Sequence, residues 1–166
     1  MNQPRLILCD RNPGIVREWK RVFWNNPEVR ILDRDILTVG EPGLDVTLVA
    51  PGNSYGIMTG GLDLDIARRF PNLENRIQTH APIPVGEARR FETGDDHIPH
   101  ILYAPTMLSA KDVSSTRNAY RAFRAVLRFN LDRLLVPGLC GGVGRMAANH
   151  IAEQMYWAYI GLELAA

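Results

Sequence analysis

Two stretches of this chain are built alike, and both are suited to holding an anion. Val46-Thr47-Leu48-Val49-Ala50 leads into Pro51-Gly52-Asn53-Ser54-Tyr55-Gly56-Ile57-Met58-Thr59-Gly60-Gly61, then into a helical pattern from Leu62 to Phe70. Leu134-Leu135-Val136 leads into Pro137-Gly138-Leu139-Cys140-Gly141-Gly142-Val143-Gly144, then into a helical pattern from about Met146 to Ile160. A strand, a glycine loop and a helix in that order aim backbone N–H groups and the positive end of a helix at one point. Glycine matters there because a Cβ would block the close approach of a phosphate. One such loop reads equally well as a tight strand-to-helix turn. Two of them point to a cleft that grips two phosphates.

The polar residues near these loops carry local readings beside the chemical ones. Asn53 and Ser54 sit in a Pro-Gly-Asn-Ser turn, which favours both for local reasons. Asp63 falls in the first turn of a helix, where the dipole favours a carboxylate by about 0.3–1 kcal/mol, and Asp65 is equally acidic. Asp63 is also a residue type able to serve as a general base. Asp35 follows a strand and precedes Ile36-Leu37-Thr38, the setting of a residue that caps its own turn. Cys140 opens the second loop near a helix N-terminus, where a thiol gains acidity. None of His80, His97, His100 and His150 can be paired with it from spacing, so a small buried thiol is the plainer reading. His97 and His100 lie three apart in an extended segment and fall on opposite faces. No protein-held metal is expected, and no cofactor.

The elements that must position these residues follow from periodicity. Arg5 to Cys9 reads as a short buried strand, and Asp10-Arg11-Asn12-Pro13-Gly14 as a turn with Pro13 at the first helical position. Ile15, Val16, Trp19, Val22 and Phe23 recur at helical spacing until Asn25-Asn26-Pro27. Val29 to Leu32 is a strand, Leu73 to Thr79 a helix continuing after Pro71, and Glu87 to Phe91 and Ile98 to Tyr103 are extended around a Thr93-Gly94-Asp95-Asp96 turn. A long amphipathic helix is expected from about Val113 to Asn130, with Tyr120, Phe123, Val126 and Leu127 inward. Its other stripe, Arg117, Arg121, Arg124 and Arg128, is a solvated face or, alternatively, a contact for nucleic acid. This alternation predicts an α/β fold, a three-layer α/β/α sandwich with a mixed, mostly parallel sheet, in one domain spanning 1–166.

Composition removes other classes. The chain has 166 residues, 46% hydrophobic, enough for a core without staples. Its formal net charge of +1 predicts no bulk attraction to nucleic acid or anionic membrane. Two cysteines, Cys9 and Cys140, exclude a disulfide framework and a zinc knuckle. No run approaches the roughly 18 apolar residues of a membrane span, and the first apolar run is too short for a signal peptide. A cytoplasmic protein is expected. The segment after Cys9 lacks the GxGxxG of a Rossmann dinucleotide enzyme.

Taken in order, Asp35-Ile36-Leu37-Thr38, the strand ending Ala50-Pro51-Gly52-Asn53-Ser54, Gly60-Gly61-Leu62-Asp63, Val85-Gly86-Glu87-Ala88 and Pro137 to Gly144 resemble a macro domain, from about Val29 to Tyr159. The resemblance implies binding of ADP-ribose or a related NAD-derived adenine nucleotide, with hydrolysis of ADP-ribosyl linkages as one activity and a non-catalytic reader or sequestering module as the alternative. It implies that Asp35 accepts from the adenine amino group beside the backbone N–H of Ile36. Asn53 would orient the distal ribose. Gly60 and Gly61 would end the first phosphate loop, Asp63 would activate or orient water, and Gly141, Gly142, Val143 and Gly144 would form the second loop with Cys140 just before it. An ADP-ribosylated protein or nucleic acid is the implied partner. The chain departs from the pattern at Ala50, Leu64 and Gly144 and in the diluted run Tyr55-Gly56-Ile57-Met58-Thr59, and Ala50 and Leu64 favour the reader. Ala50 stands where the family has Asn, Leu64 where its hydrolases have Gly, and Gly144 where an aromatic ring is frequent; Tyr55 and Met107 are candidates to replace that ring.

Overall fold

The computed structural model describes residues 4–161; the first three residues and the last five, included in the expected domain of 1–166, lie outside it. Six strands form one sheet: β1 (Leu6–Asp10), β2 (Val29–Asp33), β3 (Thr47–Ala50), β4 (Arg89–Glu92), β5 (His100–Tyr103) and β6 (Leu134–Val136). Their order across the sheet is β2-β1-β6-β3-β5-β4. All neighbours are parallel except β4, which runs antiparallel to β5. Among the described residues five α-helices, α1 (Pro13–Val22), α2 (Gly61–Arg69), α3 (Leu73–Gln78), α4 (Asn118–Leu127) and α5 (Ala148–Tyr159), and one turn of 3-10 helix (Ile36–Thr38) complete the fold. The expected mixed, mostly parallel α/β sandwich is what forms.

The strands alternate between two cores, as a period of two requires. Leu8, Val49, Leu102 and Val136 enter one core with Trp19 of α1, Phe123 of α4 and Met155 of α5. Cys9, Leu48, Ala50, Ile101, Tyr103 and Leu135 enter the other, with Ile66 of α2 and Leu73 and Ile77 of α3. Strands buried on both faces explain the continuous apolar runs of β3 and β6.

Some boundaries move for identifiable reasons. The helix expected over 113–130 occupies only Asn118–Leu127. Ahead of it, the Asp112 carboxylate accepts from Ser114 N, and Thr116 Oγ1 donates to Val113 O while accepting from Asn118 N. These short-range bonds give the backbone a turn instead of a helix. Asn130 adopts a left-handed φ of 49° at the other end. The arginine stripe is not wholly solvated either: Arg124 donates to the Tyr120 hydroxyl and Arg121 to Val85 O. The last helix starts at Ala148 rather than Met146, because Met146 N closes the glycine loop on Cys140 O at 2.9 Å. His97 lies in a turn ahead of β5 rather than in the strand with His100. The Asp95 carboxylate accepts from the N–H groups of His97 and Ile98 and holds that turn.

Candidate functional site

Five parallel strands present their C-terminal ends along one edge of the sheet. The chain passes from β1 to β2 on one side, whereas β3 and β5 lie beyond β6 on the other. Ligand crevices of open α/β sheets form outside such a reversal. Two adjoining cavities lie there, of about 310 and 260 Å³, sharing Asp10, Gly61, Leu62 and Pro137 in their walls.

The larger cavity brings together the two loops singled out from sequence. Gly60 and Gly61 line it from the first loop, and Cys140, Gly141, Gly142, Val143 and Gly144 from the second, with Asn53 and Asp63 between them. The glycines are there for different reasons. Gly61 has a φ of +56°, a conformation that side chains disfavour. A Cβ on Gly144 would sit 2.6 Å from Cys140 O, so the loop has no room for a side chain there. Gly60 and Gly142 have neither constraint: a Cβ would meet nothing within 4 Å, and neither residue is left-handed. Both are exposed and border the cleft. Of the two candidates to replace the missing ring, Met107 lines this cavity, and the half-exposed Tyr55 does not.

Asp63 is the perturbed acid of the site. Burial, and secondarily the negative charge of Glu74, push its carboxyl up to about 7. Its Oδ1 is buried without a hydrogen-bond partner. Its Oδ2 and the Tyr103 hydroxyl crowd the same spot beside Gly52, where a Cβ would collide with both. Tyr103 donates to Asn53 O at 2.8 Å, and burial together with the Asp63 charge drives the phenol upward, so it remains a neutral donor. A carboxylate of this kind, half protonated near neutral pH at a cavity wall, has the affinity a general base needs.

Asn53 is more committed. Its Nδ2 donates to Ile57 O at 2.8 Å, and its Oδ1 accepts from Tyr55 N and Ile57 N at 3.1 and 3.2 Å. One amide N–H is left for anything else. Its side chain therefore folds the first loop. Glu74 assists from α3, its Oε2 accepting from Met58 N at 2.6 Å, and Gln78 donates to Gly56 O.

The smaller cavity holds Asp35 and Ile36. Asp35 caps the single turn of 3-10 helix at Ile36–Thr38, its Oδ1 accepting from Leu37 N at 3.0 Å. The residue that caps this turn thus also lines the smaller cavity. Arg11 donates to its Oδ2. Helix α2 divides the two acids expected near each other: Asp63 lines the larger cavity and Asp65 the smaller.

Both cysteines are buried free thiols. Burial pushes Cys140 up to about 12 and Cys9 up to about 11. At Cys140, loss of hydration outweighs the help of a hydrogen bond with Thr106. Ligand-type atoms of Asp95, Asp96 and His97 meet within 4.8 Å. The turn's own hydrogen bonds and the ion pair of Asp95 with Arg69 account for that grouping.

Asp10 is the residue that sequence reasoning passed over. It ends β1 and lines both cavities. Its Oδ2 accepts from Gly138 N at 3.0 Å and its Oδ1 from Asn12 N at 2.9 Å. It thereby ties the second loop to the start of α1, where Asn12 caps the helix through Gly14 N. A carboxylate at the end of a strand, two residues before a capping Asn, was the available signal. Its partner lies 128 residues away.

No protein-family model matches the chain. An uncharacterized protein of Aquifex aeolicus is 32% identical over 124 residues, which is 71% of this chain and 74% of that protein. An uncharacterized protein of Aeropyrum pernix is 28% identical over 112 residues, 64% of this chain and 59% of its own length. Among solved structures, the macrodomain of Mycobacterium tuberculosis DarG superposes with a TM-score of 0.66 at 22% identity, over 78% of this chain and 88% of that one. Thermosipho africanus DarTG in complex with ADP-ribose gives 0.59 at 16% identity, over 94% of this chain and 50% of that one. An Oceanobacillus iheyensis macrodomain mutant with ADPR gives 0.61 at 14% identity, over 73% and 72%.

Proposed function

We propose that this chain, which has the macro domain fold and belongs to one family with the Aquifex aeolicus protein, binds ADP-ribose or a related NAD-derived adenine nucleotide. The observation that carries the reading is the open backbone at Gly60 and Gly142. Neither packing nor φ requires glycine there, and both residues border the cleft where the two loops meet. Such a wall suits a diphosphate held by N–H groups. The smaller cavity then takes the adenosine end, with Asp35 and Ile36 at the base, and the larger takes the distal ribose beside Asn53 and Asp63. Solved structures of this fold with ADP-ribose bound support the ligand class.

Within this reading the chain hydrolyses an ADP-ribosyl linkage, with Asp63 accepting a proton from the attacking water. Its burial, its raised proton affinity and its unpartnered oxygen support that role. A second reading, a non-catalytic reader, draws on Asn53: three of its hydrogen bonds are spent on its own loop, which leaves little to orient a ribose. An ADP-ribosylated protein or nucleic acid is the macromolecule on which either activity would act.

Calorimetric titration with ADP-ribose tests the ligand. Wild-type binding that weakens by about 1–3 kcal/mol in Asp35→Ala is expected, because a buried donor loses its acceptor. Absence of wild-type binding would overturn the ligand assignment. Turnover of an ADP-ribosylated peptide that disappears in Asp63→Ala selects the hydrolase; binding without turnover selects the reader.

A further inference from the structure

A nucleobase needs a flat surface, and among the described residues the wall of the smaller cavity contains no aromatic ring. The planar groups it does contain are two guanidinium groups, those of Arg11 and Arg34. That of Arg34 is turned to the backbone and donates to Thr38 O at 3.2 Å. That of Arg11 leaves the end of β1, reaches the carboxylate of Asp35 beyond the end of β2, and keeps 69% of its side chain exposed. Its main chain is fixed on both sides. Asp10 binds Asn12 N, Asn12 caps α1, and Pro13 locks the next residue. The ion pair with Asp35 favours the rotamers that place the Arg11 guanidinium at the wall of this cavity.

We infer that the Arg11 guanidinium, held by Asp35, is the platform on which the base of the bound nucleotide stacks, in place of an aromatic side chain. The inference rests on the adenine-nucleotide reading above and adds the residue that selects for a base. Guanidinium planes stack on bases through their π-faces, and the carboxylate behind the guanidinium fixes its tilt. The Arg11–Asp35 pair then acts as one unit: Asp35 meets the edge of the base, and Arg11 meets its face.

The test titrates wild type, Arg11→Ala and Arg11→Lys with ADP-ribose and with adenosine, which has the base and no phosphate. Arg11 is exposed, and thermal melts establish that the variants are folded. Arg11→Ala is expected to weaken both ligands by about 3- to 30-fold, the range of a cation over a ring. Arg11→Lys keeps the charge without the plane and is expected to share most of that loss. Wild-type affinity in Arg11→Lys would overturn the inference, because a point charge would then suffice. So would a loss confined to ADP-ribose, which would place the charge at the phosphates. Unchanged affinity in Arg11→Ala with normal wild-type binding would overturn the inference alone. No wild-type binding of either ligand would overturn it together with the nucleotide reading.

Discussion

Replacing Asp63 by asparagine removes a buried charge while keeping the shape of the side chain. The carboxyl rises from an ordinary 3.8 to about 7 on folding, first through burial and then through the charge of Glu74. The folded protein therefore holds this proton more tightly than the unfolded chain does. Below about pH 4 both states are protonated and the group costs nothing. Between about pH 4 and pH 7 the unfolded chain releases its proton first, so stability falls as pH rises. Above about pH 7 both states are ionised and the full cost is present. Three tenfold steps in proton affinity, at 1.36 kcal/mol each, set it at roughly 4 kcal/mol. The Asp63→Asn variant escapes this cost. Urea denaturation near about pH 5 and about pH 8 should show its advantage over wild type growing by roughly 2–3 kcal/mol between the two. Titrating groups that do not interact with Asp63 cancel in that double difference. An advantage equal at both pH values, or a variant weaker than wild type at the higher one, would refute the claim that the native site holds a desolvated carboxylate. In the same variant, turnover should be lost if the site is hydrolytic, the usual exchange between stability and a strained catalytic group.

Three further outcomes follow from the walls of the cleft. Gly142→Ala should leave the unfolding free energy within about 0.5 kcal/mol of wild type, since its Cβ meets nothing, yet weaken ADP-ribose in calorimetry. Unchanged affinity would mean that no ligand approaches that backbone. Gly144→Ala should cost about 1–3 kcal/mol in denaturant titrations, because the new Cβ would press on Cys140 O; a neutral result would show that the loop yields freely. Asp10→Ala strands the N–H groups of Gly138 and Asn12. About 1–3 kcal/mol of stability should go with them, and hydrogen exchange at Gly138 should accelerate. Unaltered exchange there would dismiss Asp10 as the tether of the second loop.

What the sequence determined by itself is mostly local. Leu134–Val136 was legible as a buried strand because an apolar run stops at Pro137, and α1 was legible because Pro13 and the spacing of Val16, Trp19 and Phe23 agree. The two glycine loops were legible as well, since each is a strand-to-helix turn whose residues are contiguous. Helix starts were less so. At 112–117 side chains bonded to nearby backbone outcompeted a helix that periodicity favoured. The character of the site was decided only in three dimensions. Whether Asp63 is a solvated helix-start acid or a buried carboxyl depends on Glu74 and on Gly52 and Tyr103 beside it, none of which its own turn encodes. Asp10 reads as a turn residue until β1 and β6 pair and bring Gly138 against it. Arg11 and Asp35 become partners because β1 and β2 are parallel neighbours that end side by side. Propensity and periodicity act over a turn or two of chain, whereas charge, desolvation and hydrogen bonding act through space and are settled once the sheet has assembled.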